Sequence, residues 1–230
     1  MTDLIDTTEM YLRTIYELIE DGVTPMRARI AEQLGHTGPT VSQTIARMER
    51  DGLVVVSEDR HLELTEEGLA IATRVMRKHR LAERLLTDVI GLDLPFVHEE
   101  ACRWEHVMSD RVERRLIEML GSPKQSPYGN PIPGLEELGE TPAAPTVGEV
   151  SVYDTLGASV TYVTLTRIGE NPQALGGFLQ LASEIGLLPG TKLTVSGDDD
   201  RVTLTTERGS ISIPPDTARH VFVASEFALP

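Results

Sequence analysis

A chain of 230 residues with 40% hydrophobic content exceeds the usual size of one domain and can bury a core in each of two or three small ones. No apolar run approaches the roughly 20 residues that span a bilayer, and the start Met1-Thr2-Asp3 lacks the basic and apolar pattern of a secretory signal, so the expectation is a soluble, cytoplasmic protein with no membrane partner. A net charge of -15 excludes nucleic-acid binding through overall charge, and a single cysteine, Cys102, excludes an internal disulfide.

Asp6 with Glu9 reads as a capping box, and Leu12, Ile15, Tyr16, Leu18 and Ile19 follow at helical spacing until Asp21-Gly22. Thr24-Pro25 predicts the start of a second helix ending at Leu34-Gly35. Thr37 predicts the cap of a third, from Gly38 to about Arg50. In that third helix Val41, Ile45 and Met48 share one face, while Pro39, Thr40, Ser42, Gln43 and Arg47 face elsewhere, the pattern of a helix-turn-helix reader. Leu53 to Val56 and His61 to Leu64 predict a β-hairpin with Arg60 at its tip, which completes a winged helix. Across 25–60, Arg27, Arg29, Arg47, Arg50 and Arg60 face five acids, so a local positive surface can be arranged there; any DNA contact must come from placed arginines.

A long helix follows from Thr65 towards Gly91, then one over 95–108 opened by Pro95, then one from Asp110 to Leu120 capped by Ser109. So much apolar surface on short helices predicts burial against an identical subunit. Residues 121–150 carry six prolines and five glycines and read as a linker, with Pro127 to Pro133 extended and polyproline-like. Alternating runs at Val160 to Ile168, Lys192 to Val195, Val202 to Thr205, Ile211 to Ile213 and Val221 to Val223 predict a small β-barrel, interrupted by a helix from Pro172 to Ile185.

The residues that carry chemistry sit in the middle of the chain. At 100° per residue, His98, Cys102, Glu105 and His106 share a stripe about 100° wide, and His79 and Glu83 are spaced i,i+4 on the preceding helix. Thiolate, imidazole and carboxylate together suit a transition metal. Taken singly, a cysteine is most often core packing, an i,i+4 His/Glu pair a surface contact and Met10 a packing residue. What carries weight is their conjunction with a winged helix. A metalloenzyme would also need a general base and a substrate pocket, and no HExxH, nucleophile elbow or phosphate-binding loop is present, so the protein is read as not an enzyme.

Asp6 to Arg13, Gly38 to Thr44, Met76 to Glu83 and Glu100 to Met108 together resemble the diphtheria toxin repressor and iron-dependent regulator family over essentially the whole chain. The resemblance implies a winged-helix DNA-binding domain over 1–73, an all-α dimerisation and metal-binding domain over 74–140, a linker over 141–150 and an SH3-like β-barrel over 151–230. It places a primary metal site on Met10, Cys102 (side chain and carbonyl), Glu105 and His106, and an ancillary site on His79, Glu83, His98, Glu170 and Gln173. It places DNA contacts on Thr7, Arg27, Thr40, Ser42, Gln43, Arg47, Arg50 and Arg60, with Pro39 and Gln43 near base edges. Thr37 departs from the serine common in relatives but keeps the hydroxyl.

The function implied is an Fe(II)-dependent repressor of iron-homeostasis genes, with two ions per subunit and Co(II), Ni(II), Mn(II) or Zn(II) substituting in vitro. The soft Met10 and Cys102 favour Fe(II), and a Mn(II)-responsive repressor is the alternative. A metal bridging helix one to the dimer domain would select one arm position, so that a homodimer, singly or as two dimers, fits a palindromic double-stranded operator. The tail is expected to bind the chain's own proline-rich segment 125–139 in the metal-free form.

Overall fold

The computed structural model describes residues 6–156, 161–198 and 200–225. Helix α1 (Thr7–Glu20) is capped by the Asp6 carboxylate, which accepts from the amides of Thr8 at 2.8 Å and Glu9 at 3.3 Å. Glu9 does not close the reciprocal half of the box, because its carboxylate is paired with His106. Helix α2 (Arg27–Leu34) begins two residues later than Thr24-Pro25 predicts and has no side-chain cap. The carbonyl of Pro25 accepts instead from the amide of Leu62 at 3.0 Å, which ties this stretch to the hairpin. Helix α3 (Gly38–Arg50) is capped by Thr37 as expected and buries Val41, Ile45 and Met48.

Strands β1 (Val54–Val56) and β2 (Leu62–Leu64) pair antiparallel, and Arg60 turns between them with φ +68°, a left-handed conformation rare outside glycine. Helix α4 (Glu66–Leu85), capped by Thr65, leans on this hairpin at Gly68, where a Cβ would lie 2.0 Å from the carbonyl oxygen of Leu53. Its last turn widens over Leu86–Ile90 and stops at Gly91, φ +73°.

Helix α5 (Leu94–Trp104) is shorter than the predicted 95–108. The amides of Val107 and Met108 both turn back to the carbonyl of Trp104, so Glu105 and His106 leave the helix in a tight turn ahead of Ser109, the cap of α6 (Asp110–Met119).

The proline-rich stretch is not an extended linker along its first half. Gln125 bridges Pro131, the amide of Ser126 bonds the carbonyl of Asn130, and Tyr128, Asn130 and Ile132 are buried. Tyr128 donates its hydroxyl to the carbonyl of Leu94 at 2.7 Å, and its own carbonyl accepts from Ile168. Fixing this loop satisfies backbone groups that a polyproline segment would leave to water.

The tail is a six-stranded antiparallel sheet in the order β3-β8-β4-β5-β6-β7, formed by β3 (Glu149–Ser151), β4 (Thr161–Ile168), β5 (Lys192–Gly197), β6 (Val202–Thr206), β7 (Gly209–Ile213) and β8 (Val221–Ser225). The predicted start of β4 at Val160 lies outside the described residues. In place of one helix over 172–185 there are two, α7 (Glu170–Ala174) and α8 (Phe178–Glu184), separated at Gly177, φ +81°. A short helix, α9 (Pro215–Ala218), precedes β8. One apolar core belongs to α1–α3, the hairpin and Ala72; a second runs unbroken from Ala82, Val97 and Ala101 through Tyr128 into the sheet at Leu165, Ile168 and Val223. The helical region and the tail therefore bury their apolar faces against each other, which holds α7 over the end of α5.

Candidate metal centre and nucleic-acid interface

Four elements bring the predicted ligands into one buried place. On α4 the i,i+4 pair His79 and Glu83 points inward, with His79 Nε2 at 2.9 Å from Glu83 Oε1. On α5 His98 and Cys102, also i,i+4, stand opposite, with Nε2 to Sγ 3.6 Å. The donor atoms of His79, His98 and Cys102 lie within 4.8 Å of one another. From the turn after α5, Glu105 reaches back so that its Oε2 lies 2.6 Å from His79 Nδ1. Met10 lines the same cavity, of about 160 Å³, with Cys102, Glu105, His106 and Glu170. His106, in the turn after α5, lines this cavity too and sits 3.3 Å from Glu105 Oε1 and 2.6 Å from Glu9 Oε2.

The two expected ligand sets are thus not separate in this arrangement: His79 touches one carboxylate from each. Glu170 and Gln173, one turn apart on α7, close the ancillary side from the tail. Glu170 Oε1 accepts from Arg80 Nε at 2.9 Å, and Gln173 Nε2 donates to the carbonyl of Ile168 at 2.7 Å.

Four buried atoms in this group have no hydrogen-bond partner: Glu83 Oε2, His98 Nδ1, Glu170 Oε2 and Gln173 Oε1. His98 Nδ1 is 3.6 Å from Glu83 Oε1, an ionic contact too long for a hydrogen bond. Buried polar atoms are normally satisfied, and four orphans on the side chains of one proposed ligand set fit a cation better than a packed core.

Burial opposes every charge in the cluster, and the partners overcome it. Burial would raise the Cys102 thiol, but Arg13 and His98 hold it well below its ordinary value, as a thiolate. Burial would likewise raise Glu105 and Glu83; Arg13 and His79 bring Glu105 to about 2, and His79 and His98 hold Glu83 below the carboxylate range. His98, which burial alone would lower, is raised to about 9 chiefly by the Cys102 thiolate. Glu170 is pushed up to about 7 by burial, against the pull of Arg80 and helped by nearby Glu17 and Glu20.

Sequence reasoning missed the cations and carboxylates that fill the rim. Arg13 donates to Cys102 Sγ, both Glu105 oxygens and Glu17, and Arg80 bonds Glu20, Glu170 and the carbonyl of Pro131. The signal was available for Arg13 and Glu9: they flank Met10 at i+3 and i-1, on a helix turn already assigned a ligand.

On the winged helix, Pro39, Thr40, Ser42, Gln43, Arg47 and Arg50 are exposed on α3, with Thr7 exposed at the start of α1 and Arg60 at the hairpin tip. Arg27 is half-buried, with its Nε unpartnered. Helix α3 buries its apolar stripe and exposes hydroxyl, amide and guanidinium groups, the side-chain chemistry that suits base edges and phosphates.

A winged helix joined through one continuous helix to a buried thiolate, imidazole and carboxylate cluster defines a metal-dependent DNA-binding regulator. Residues 3–62 match the family described as iron dependent repressor, N-terminal DNA binding domain, and residues 65–134 match iron dependent repressor, metal binding and dimerisation domain. The chain is 54% identical to the diphtheria toxin repressor of Corynebacterium glutamicum, covering 97% of this chain and 98% of that protein. It is 51% identical to the iron-dependent repressor IdeR of Mycobacterium tuberculosis, covering 99% and 96%. Among solved structures, T. acidophilum IdeR superposes with a TM-score of 0.76 at 29% identity, covering 96% of this chain and 99% of that one. The manganese regulator SloR superposes with 0.75 at 25%, covering 95% and 98%. The chain belongs to the diphtheria toxin repressor and IdeR family of metal-dependent, DNA-binding transcriptional repressors. Among the described residues, no helix is long and apolar enough to cross a membrane.

Proposed function

We propose that this repressor is cytoplasmic and activated by Fe(II), with two ions per subunit: one held by Met10, Cys102, Glu105 and His106, the other by His79, Glu83, His98, Glu170 and Gln173. The observation that carries the reading is a thiolate beside two imidazoles, with a thioether lining the same cavity, a donor set softer than Mn(II) prefers. Co(II), Ni(II), Zn(II) and Mn(II) would substitute in vitro. Mn(II) activation is the second reading, favoured by the hard orphan oxygens of Glu83, Glu170 and Gln173 and by the likeness to a manganese regulator.

When bound, the metal supplies a bridge between segments that no single helix provides. The residues of this chain do the rest. Met10 sits on α1 and packs against the core that α1 shares with the reader helix α3, whereas Cys102, Glu105 and His106 belong to α5 and its turn. Tying Met10 to that turn fixes α1, and with it the spacing of the two α3 helices in a homodimer, for a palindromic operator taking one or two dimers. The readers would be Pro39 and Gln43 at base edges, and Thr7, Arg27, Thr40, Ser42, Arg47, Arg50 and Arg60 at phosphates. Domain limits of 1–73, 74–140 and 151–230, with a linker over 141–150, suit this scheme, although α4 runs through the first boundary without a break.

The autoinhibitory contact between the tail and segment 125–139 draws support from Tyr128 and Asn130, whose backbone and side chain bond Ile168 at the end of β4. The test of the central reading is a fluorescence-anisotropy titration on a palindromic operator with Fe(II), Mn(II) or chelator under anaerobic conditions. Fe(II) activates at lower concentration than Mn(II) if the reading holds; binding indifferent to the chelator overturns it.

A further inference from the structure

The donors assigned to the metal are already engaged, and by the same helix that supplies Met10. Arg13 Nη1 donates to Cys102 Sγ at 3.2 Å and to Glu105 Oε1 and Oε2 at 2.9 and 2.8 Å, and its Nε donates to Glu17 at 2.6 Å. The Arg13 side chain is 10% exposed and that of Glu105 1%. One turn earlier, Glu9 Oε2 lies 2.6 Å from His106 Nδ1. Glu9, Met10 and Arg13 therefore fall on one edge of α1, and the two that are not ligands hold three of the proposed ligand side chains.

We propose that Arg13 is an internal stand-in cation, a latch that holds α1 on α5 in the metal-free protein and must be released for Cys102 and Glu105 to take a metal, whereas Glu9 holds only His106 Nδ1 and leaves Nε2 turned to Glu105. This rests on the ligand assignment made above. A guanidinium is always charged, and here its Nη1 alone meets both Glu105 oxygens and the Cys102 sulfur, so it compensates the carboxylate and the thiolate together. A divalent ion on the same donors takes over that compensation and repels the guanidinium. Arg13 then keeps only Glu17, on its own helix, and Met10, three residues before it, replaces it as the contact of α1 with α5. Release of one contact and formation of the other happen on neighbouring residues of one rigid helix. A small rotation of α1 suffices, and the same rotation moves the reader packed against it.

The latch makes a prediction that a purely structural arginine does not. Loss of Arg13 leaves Cys102 and Glu105 uncompensated only when metal is absent, so it destabilises the metal-free protein and tightens metal binding. The experiment uses full-length protein at pH 8, titrated with Co(II) and followed by thiolate-to-cobalt charge-transfer absorption, with thermal melts of the metal-free and Co(II)-saturated forms. Arg13→Gln is expected to bind Co(II) about tenfold more tightly, the scale of charge-assisted bonds to an ionised partner. Arg13→Lys, which keeps the charge, falls between, whereas Glu9→Gln, which removes only the partner of His106 Nδ1, does not tighten binding. The metal-free variants melt lower than wild type, and the saturated forms melt together. Unchanged or weaker Co(II) binding in both Arg13→Gln and Arg13→Lys, or equal destabilisation with and without metal, overturns the latch while leaving the ligand assignment intact. Absence of the charge-transfer band in wild type, or its survival in Cys102→Ser, overturns the ligand assignment and the latch with it.

Discussion

Two kinds of buried ionic cluster hold this protein together, and they differ in whether they are finished. Arg77 is 2% exposed and donates to Glu113, Glu137 and the carbonyl of Gly134. Asp21, at the end of α1, accepts from Arg167 at 2.6 Å and lies 2.7 Å from His220 Nδ1 on the tail, and Arg167 also bonds Glu149 and covers the Phe222 ring. None of the side-chain atoms of Arg77, Glu113, Asp21, Arg167 or His220 is left buried without a partner. The cluster around His79, His98 and Cys102 is as deeply buried, yet Glu83, His98, Glu170 and Gln173 each keep an orphan atom. Burial and charge alone do not mark a functional site here; what sets this cluster apart is that four of the eight buried side-chain atoms without a partner among the described residues belong to it.

The largest effect expected from breaking a finished cluster is on folding. Arg77→Met leaves Glu113 buried without its cation, and chemical denaturation is expected to show a loss of about 3–5 kcal/mol, with metal-dependent operator binding of the folded fraction unchanged. The unfinished cluster should respond the opposite way. Cys102→Ala is expected to cost about 100-fold or more in Co(II)-stimulated operator affinity by anisotropy; unchanged metal dependence would remove Cys102 from the site. Asp21→Asn tests the junction of α1 with the tail. It removes the charge that Arg167 and His220 share, and a loss of about 1.5–3 kcal/mol in denaturation is expected, together with faster proteolysis in the exposed stretch around Val147.

A smaller effect comes from pH. His98, raised to about 9 by the thiolate, contributes stability to the metal-free protein that is complete below the unfolded value and is lost as pH rises through about 9. A metal needs the neutral imidazole, so Co(II) binding displaces a proton. Affinity should therefore rise with pH by up to about tenfold per unit and level off near 9. A flat profile between pH 7 and 9 would exclude His98 as a ligand. Glu99→Gln, at an exposed α5 ion pair with Arg103, is expected to change stability by less than about 0.5 kcal/mol, which calibrates the others.

Much of this was legible in the sequence because it is local. The stripe of Val41, Ile45 and Met48, the Thr37 and Ser109 caps and the i,i+4 pairs His79/Glu83 and His98/Cys102 are set by helical periodicity and capping chemistry, which operate within a few residues. Resemblance added Met10, Glu170 and Gln173, which no spacing argument links to Cys102. What failed did so for non-local reasons. The late start of α2 follows from Pro25 pairing with Leu62, and the loop at 124–132 folds because Tyr128 and Asn130 find partners on Leu94 and Ile168. The early end of α5 is a turn whose buried Met108 was invisible to a periodicity that continued through it.

The sequence by itself determined the reader, the ligand-bearing helices and the family, since each is written in short-range patterns of side-chain type. Only the tertiary structure decided that α1 delivers a guanidinium to the thiolate, that His79 joins the two ligand sets, and which buried atoms are left without partners. Arg13 and Glu105 are 92 residues apart in the chain. Whether such charges neutralise each other depends on distance and on the water removed between them, which no local pattern records.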